Sequence, residues 1–304
     1  MKRIKLILLI LIITGTFFGA YSFYVSKTIL TKTLSDIQNN TSPLVHSQIV
    51  KTQVDFSGGH KRDLLVYLPT GYDAKNTQQR YPVLYLLYGS PGDEKDWLNH
   101  ADAEVKFNSL IEQKKITPFI VAMPDGNGNL FSDSQYLNST DKKQLNEDFI
   151  YKNLVSFIDG NFNTLVNAKY RAIGGLSSGA FGALNIGLKH QDVFSEILSF
   201  SGYGIIDQNK LSQFLIQHSQ ETVKNNSPEL YINHLKSKSV HVWQIIGQSD
   251  TLLNDAKKVH QELVKAGFDT VFTVKPGGHD WTFWSTSLNS GLLWLSGQWS
   301  TTSK

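Results

Sequence analysis

Residues 171–184 read Arg-Ala-Ile-Gly-Gly-Leu-Ser-Ser-Gly-Ala-Phe-Gly-Ala-Leu, and Gly175-Leu176-Ser177-Ser178-Gly179 matches the pattern G-x-S-x-G. A serine hydroxyl is a weak nucleophile until a base takes its proton. This pattern marks a sharp strand-to-helix turn that exposes such a serine, with glycines two residues away because the backbone passes too close there for side chains. A base and an acid follow downstream. The apolar run Val240–Ile246 leads through Gly247-Gln248-Ser249 into Asp250, and Thr273-Val274-Lys275-Pro276-Gly277-Gly278 leads into His279. Serine, acid and histidine in that chain order form one of the known triad orders. In this scheme His279 takes the proton of Ser177 and later returns it to the leaving group. Asp250 fixes the imidazole tautomer and stabilises the imidazolium.

Rival residues fit other roles. Asp255 falls inside a helical pattern and Asp280 adjoins the histidine in sequence, so both are expected to be solvated. His190 and His260 lie on helical patterns, His60 beside Gly58-Gly59 in a hairpin, and His241 at a strand start; His100 is a second candidate for the pocket. An oxyanion needs two backbone donors. The N–H of Ser178 is one. The other is assigned to Ser90 in Tyr88-Gly89-Ser90-Pro91-Gly92, since proline has no N–H. The aromatic residues Tyr88, Trp97, Tyr203 and Trp281, with Trp284, lie near these segments and are the candidates for substrate contact. Asp125-Gly-Asn-Gly-Asn129 begins like a calcium loop but has Leu130 at the sixth place and Tyr136 at the twelfth, so no metal is assigned. No cofactor is implied.

The elements that must hold these residues alternate. Extended runs are predicted at Gln48–Phe56, Asp63–Leu68, Pro82–Tyr88, Pro118–Met123, Arg171–Ile173, Glu196–Phe200, Val240–Ile246 and Thr270–Val274. Helical patterns fall at 102–114, 143–162, 179–190, 252–267 and 282–297. Such alternation predicts an α/β fold, with a mostly parallel sheet covered on both faces, over 46–304. The first two strands have no helix between them and should pair antiparallel. The Gln-, Asn- and Ser-rich stretch 204–236 is the expected lid or pocket wall.

The N-terminus is an address. Leu6–Val25 carries no charge after Lys2, Arg3 and Lys5. Twenty residues span about 30 Å as a helix, the depth of a bilayer's hydrocarbon core. Ala20-Tyr21-Ser22 offers a small-x-small cleavage site, so residues 1–26 are a signal peptide or a transmembrane signal anchor. Residues 27–45 read as a polar stalk. The cationic start places the remainder outside the cytoplasm, bound to the cell membrane or secreted after cleavage. The chain has 29 Lys+Arg and 26 Asp+Glu, and Lys2, Arg3 and Lys5 account for the whole excess. A balanced body without a basic stripe excludes nucleic acid as a partner. With no cysteine there is no disulfide, thiolate metal site or cysteine nucleophile.

Val66–Tyr72, Tyr81–Gly89, Gly174–Ala183, His190–Phe194, Gly247–Asp250 and Gly277–Trp284 together carry a resemblance. Over about 46–297 the chain resembles the esterase family of α/β hydrolases that includes esterase D, the feruloyl and other carbohydrate-ester esterases, and the mycolyltransferases. The resemblance implies an α/β-hydrolase fold, an acyl-enzyme on Ser177, the acid Asp250, the base His279 and an oxyanion loop at Ser90. It implies small-molecule, glycan or lipid esters as substrates, with hydrolysis or acyl transfer as the outcome. Two positions depart from the family pattern: Tyr88 stands where many members carry His-Gly, and Ala180 replaces a second glycine after the elbow. A binding protein on a retired hydrolase fold is the remaining alternative, and such a protein has no chemical reason to retain all three triad residue types.

Overall fold

The structure is a computed structural model that describes residues 29–127, 133–207 and 220–301. The described strands are β1 (Thr31–Thr33), β2 (Gln48–Asp55), β3 (Lys61–Leu68), β4 (Val83–Leu87), β5 (Ile120–Pro124), β6 (Arg171–Leu176), β7 (Glu196–Phe200), β8 (His241–Gly247) and β9 (Asp269–Lys275). They form one sheet in the order β1-β2-β3-β5-β4-β6-β7-β8-β9. β3 runs antiparallel to both β2 and β5, and every other pairing is parallel. β2 and β3 meet through a turn in which Gly58 and Gly59 take φ 71° and 79°, a region open to glycine at little cost.

The central strands are apolar runs because both of their faces are covered. Along β4, Val83, Tyr85 and Leu87 turn to one face while Leu84 and Leu86 turn to the other. The first face packs against the helices Val155–Asn161, Ser178–Lys189 and Leu253–Lys265 through residues such as Ile158, Leu184, Val259 and Leu263. The second packs against Ala103–Glu112 and the C-terminal helix Trp281–Thr301 through Phe107, Leu288, Leu292 and Leu295. Parallel strands bring their C-terminal ends to a common side, the usual place for a ligand site in open α/β sheets. The loops bearing Ser90, Ser177, Asp250 and His279 follow β4, β6, β8 and β9 on that side.

Several elements differ from the sequence pattern. The expected polar stalk 27–45 is folded in part: Thr31–Thr33 pairs with β2, and the helix Leu34–Gln38 buries Ile37 in the core. Thr33 and Asp36 close a capping box at that helix start, which three exposed strand residues and one apolar side chain do not announce in sequence. The run expected as one helix over 143–162 is divided into Asn146–Asp148, a π-helical Phe149–Leu154 and Val155–Asn161. A further helix, Asp96–Ala101, precedes Ala103–Glu112, the break falling at Asp102 with φ 47°. The predicted span Leu6–Val25 lies outside the described residues, and so does 208–219 of the predicted lid. Among the described residues no helix is long and apolar enough to cross a membrane.

Candidate active site

Ser177 sits between the last residue of β6 and the first of the helix Ser178–Lys189, at φ 53° and ψ −117°. A non-glycine residue in that region costs about 1–3 kcal/mol and persists only where its surroundings hold it. Here the Ser177 N–H donates to Phe200 O (2.9 Å), and its carbonyl accepts from Phe181 N–H (3.0 Å). The two motif glycines are explained by contact. A Cβ on Gly175 would lie 2.5 Å from the Gly179 backbone, and one on Gly179 would lie 2.4 Å from Tyr88 O. Gly179→Ala should therefore destabilise the protein by about 1–3 kcal/mol through overpacking. Gly160→Ala is the control, since a Cβ there meets nothing within 4 Å. Thermal melts of the two variants check this, and only Gly179→Ala should also lose activity, because Ser178 must shift with it.

His279 Nε2 lies 2.9 Å from Ser177 Oγ, and its Nδ1 lies 3.0 and 3.1 Å from the two oxygens of Asp250. Serine, histidine and acid therefore stand in one hydrogen-bonded line. The loops carrying acid and base are joined to each other: Gln248 N–H donates to Lys275 O and Ser249 N–H to Gly277 O. They approach so closely that a Cβ on Gly247 would lie 2.4 Å from Gly277 O. The Asp250 side chain has no exposed surface. Burial opposes its charge, but hydrogen bonds from His279, the Leu252 N–H and Ser201, with the imidazole's charge, outweigh it and hold the carboxyl below the usual range. The rivals are occupied elsewhere. Asp280 caps the C-terminal helix by accepting from Phe283 N–H at 2.9 Å, and Asp255 pairs with Lys258 at 3.6 Å. His190 stacks on Tyr151 and bonds Glu147 at 2.9 Å.

On the other side of Ser177, Ser178 opens the elbow helix, at whose N-terminus backbone amides and the helix dipole favour negative charge. The loop after β4 packs against the nucleophile: a Cβ on Gly89 would be 3.3 Å from Ser177 Cβ, and Ser90 is the next residue. That loop is tied down by Trp97 Nε1–H donating to Leu87 O (2.9 Å) and by Asp93 N–H donating to Asp96 Oδ2 (3.2 Å). Burial, with Asp93 and Glu94 nearby, pushes the Asp96 carboxyl up to about 7. A carboxyl raised on folding contributes its stability at low pH and loses it as pH climbs through the folded value. Asp96→Asn should thus raise the melting temperature relative to the parent at pH 8.5 but not at pH 5. The gain is on the order of 2 kcal/mol; a difference independent of pH would contradict it.

A cleft of about 420 Å³ opens at Ser177 and His279, walled by Tyr203, Ile205, Ile206 and Leu252, with Asp207, Thr251 and Asp255 on its polar side. Ile205–Asp207 belong to the stretch predicted as lid or wall. Of the aromatic residues expected at substrate, Tyr203 lines the cleft, held by stacking on Phe181 (4.9 Å) and by donating to Gln135 Oε1 (3.0 Å). Tyr88 and Trp97 do not line it. The Tyr88 phenol is buried and donates to Asp125 Oδ1 at 2.7 Å, tying the β4 loop to the β5 loop. Trp97 is buried edge-to-face against Phe200 and Trp281. Trp281, half-buried, packs on Trp97, Trp284 and His100 beside the cleft rather than in its wall. Asp125, the first residue of the calcium-like run, is engaged by Tyr88 and Arg62.

Two connections to the site carry no sequence motif. Asn127, buried, donates to Ser178 Oγ (3.1 Å) and to Asp133 Oδ1 (2.9 Å). Ser201, just past β7 and fully buried, accepts from Trp284 Nε1–H at 3.0 Å, and Trp284 sets its ring edge-on to His279 with centroids 4.9 Å apart. A Ser-Gly pair after a strand reads as an ordinary turn, so neither its depth nor its partners could be anticipated.

Residues 57–295 match the family described as "Putative esterase". An acetyl esterase from Caldicellulosiruptor saccharolyticus is 25% identical over 258 residues, covering 77% of this chain and 92% of the relative. An endo-1,4-beta-xylanase/feruloyl esterase from Xylanibacter ruminicola is 36% identical over 140 residues, 45% of this chain but 19% of that longer protein. Among solved structures, a ferulic acid esterase superposes with a TM-score of 0.74 at 27% identity, covering 84% of this chain and 99% of the other. The α/β-hydrolase architecture and a match across more than half of the sequence agree: the chain belongs to this esterase family and is a serine carboxylic-ester hydrolase.

Proposed function

We propose that the protein hydrolyses carboxylic esters outside the cytoplasm through an acyl-enzyme on Ser177. The observation that carries this is the hydrogen-bonded line Asp250–His279–Ser177 ending at the mouth of the cleft. His279 Nε2 accepts the Ser177 proton as Oγ attacks the ester carbonyl, and the N–H groups of Ser178 and Ser90 receive the oxyanion. Collapse of the tetrahedral intermediate expels the alcohol, which takes the proton from His279. Water then enters, gives its proton to His279, and releases the acid and the free serine. Losing one oxyanion donor typically costs about 3–4 kcal/mol of transition-state stabilisation. The apolar wall of Tyr203, Ile205, Ile206 and Leu252 suits a small acyl or aromatic acyl group. The names of the acetyl and feruloyl esterase relatives favour the same class.

The uncharged run Leu6–Val25 supports attachment to the cell membrane with the site at the envelope, or release after cleavage. Esters of envelope glycans or lipids then come within reach. The test is hydrolysis of a chain-length series of p-nitrophenyl esters and of methyl ferulate by the full chain and by Ser177→Ala. Turnover by the parent that vanishes in the variant is expected, and the preferred acyl length separates carbohydrate-type from lipid-type substrates. A folded parent silent on every ester but able to move an acyl group to a sugar or lipid acceptor would replace hydrolysis by transfer on the same residues. Equal turnover by both proteins would overturn the assignment of Ser177.

A further inference from the structure

A side-chain amide carries an acceptor oxygen beside a donor nitrogen, the same pair of groups that a backbone unit offers. Gln135 uses both on one residue of the cleft wall. Its Oε1 accepts from the Asp207 N–H at 3.0 Å, and its Nε2 donates to Asp207 O at 3.0 Å. A backbone N–H only donates and a carbonyl only accepts, so these partners fix which way the amide faces. The Tyr203 hydroxyl, 3.0 Å from the same Oε1, is then a donor. One fully buried side chain thus grips both ends of the segment that gives the cleft Tyr203, Ile205, Ile206 and Asp207. Between those ends, Ile206 N–H donates to Ser227 Oγ and Gly204 O accepts from Glu229 N–H, each at 3.1 Å.

Gln135 is itself held in an unusual backbone. Gln135 and Tyr136 take φ 49° and 59°, a region where non-glycine residues are uncommon. Asp133 Oδ1 accepts the Gln135 N–H at 2.9 Å, and Ser134 Oγ accepts the Tyr136 N–H at 3.2 Å. The turn sends the two side chains apart: Tyr136 donates to Tyr88 O at 2.8 Å, and Gln135 reaches the wall. Strain of this kind persists only where the surroundings impose it, and it gathers at ligand clamps. We infer that Gln135 sets the acyl-length limit of the cleft, as a positioning residue that fixes where the wall of Tyr203, Ile205 and Ile206 stands. The inference rests on the cleft at Ser177 receiving the acyl group of an ester. Apolar contacts are non-directional and let a wall slide, whereas the hydrogen bonds to Gln135 are directional. A longer acyl chain enters only by pushing the wall back, which breaks them.

Gln135→Met keeps an unbranched side chain of similar length at φ 49° and removes the whole amide. Tyr203 and both backbone groups of Asp207 then lose this partner and shift toward water, so the wall gives way. Tyr203→Phe is the milder variant: it removes one of the three bonds and leaves the ring stacked on Phe181. The measurement is kcat/KM of the full chain on p-nitrophenyl esters of increasing acyl length, with one alcohol throughout. A second series holds the acyl group constant and varies the alcohol. The parent, the two single variants and the double variant are compared, each verified as folded by its melting curve. The readout is selectivity, the ratio between the preferred acyl length and longer chains. A merely structural role lowers all rates together and leaves that ratio where it was.

Gln135→Met should lower the selectivity about tenfold, the low end of what one methylene is worth in an apolar pocket. Tyr203→Phe should shift it the same way by less. The double variant should stay within about twofold of Gln135→Met, because both changes loosen one clamp. An acyl-length profile that keeps its shape in the folded variants would overturn the inference, whatever happens to the absolute rates. So would a parent with no acyl-length preference, or a change confined to the alcohol series. If Gln135→Met does not fold, Tyr203→Phe decides by the same criterion. A parent silent on every ester, or equally active as Ser177→Ala, would instead remove the reading of the cleft and this role with it.

Discussion

Ser177→Ala is expected to lower kcat for ester hydrolysis by about 10⁵- to 10⁶-fold, the scale seen when one member of such a triad is removed. The loss should fall on kcat with KM little changed, since the cleft wall of Tyr203, Ile205, Ile206 and Leu252 is untouched. Residual turnover above the uncatalysed rate is still expected, because the N–H groups assigned to Ser178 and Ser90 remain. The fold should persist: alanine keeps the Cβ that the elbow already accommodates at φ 53°, and the Phe200 and Phe181 backbone contacts do not use the hydroxyl. Activity and melting curve measured on one preparation check both halves. A parallel collapse of stability would assign the loss to folding rather than chemistry.

Asp250→Asn is expected to cost about 10⁴ in kcat. The parent carboxylate only accepts hydrogen bonds, and it faces His279 Nδ1 and the Leu252 N–H. An asparagine placed there turns an NH₂ toward one of them, and when that one is His279 the imidazole is driven to the tautomer that cannot take the serine proton. The stability effect has a definite sign. A carboxyl held below its ordinary range contributes stability above its unfolded value, near 4, and loses it as pH falls through the lower folded value. The variant should therefore melt below the parent at pH 7 and approach it below about pH 4. Melting temperatures across that range, with kcat at pH 7, check the two effects together.

The sequence disclosed the parts of this site that are written in the backbone. The elbow requires glycine at 175 and 179 because carbonyls of the adjoining turn and of Leu87 and Tyr88 occupy the space of a side chain, and such needs leave a local pattern. The acid and base loops were readable because each follows an apolar strand run, and the observed strands β4 to β9 begin and end within a few residues of those runs. What a side chain does once the chain is folded was not readable. Tyr88 and Trp97 are aromatic and lie near the motif segments in sequence just as Tyr203 does, yet Tyr88 finds Asp125 and Trp97 finds Leu87 O, and both are buried. Only Tyr203 faces the cleft, because its stacking on Phe181 and its bond to Gln135 fix it there. Asn127 reaches the site across 51 residues of sequence, a distance at which no periodicity or spacing rule operates. The short β1 and the helix Leu34–Gln38 escaped for a different reason: their burial amounts to Ile37, too little to create an apolar rhythm.

The central claim is that the acyl group passes through Ser177, and the intermediate itself can be caught. The full chain is mixed with p-nitrophenyl acetate, quenched in acid within milliseconds, and examined by intact mass and peptide mapping. A single acetyl group on the peptide containing Ser177, formed in a burst stoichiometric with enzyme and absent from Ser177→Ala, is the predicted result. Steady turnover with no acetyl group at Ser177, or with the group on another residue, would contradict it.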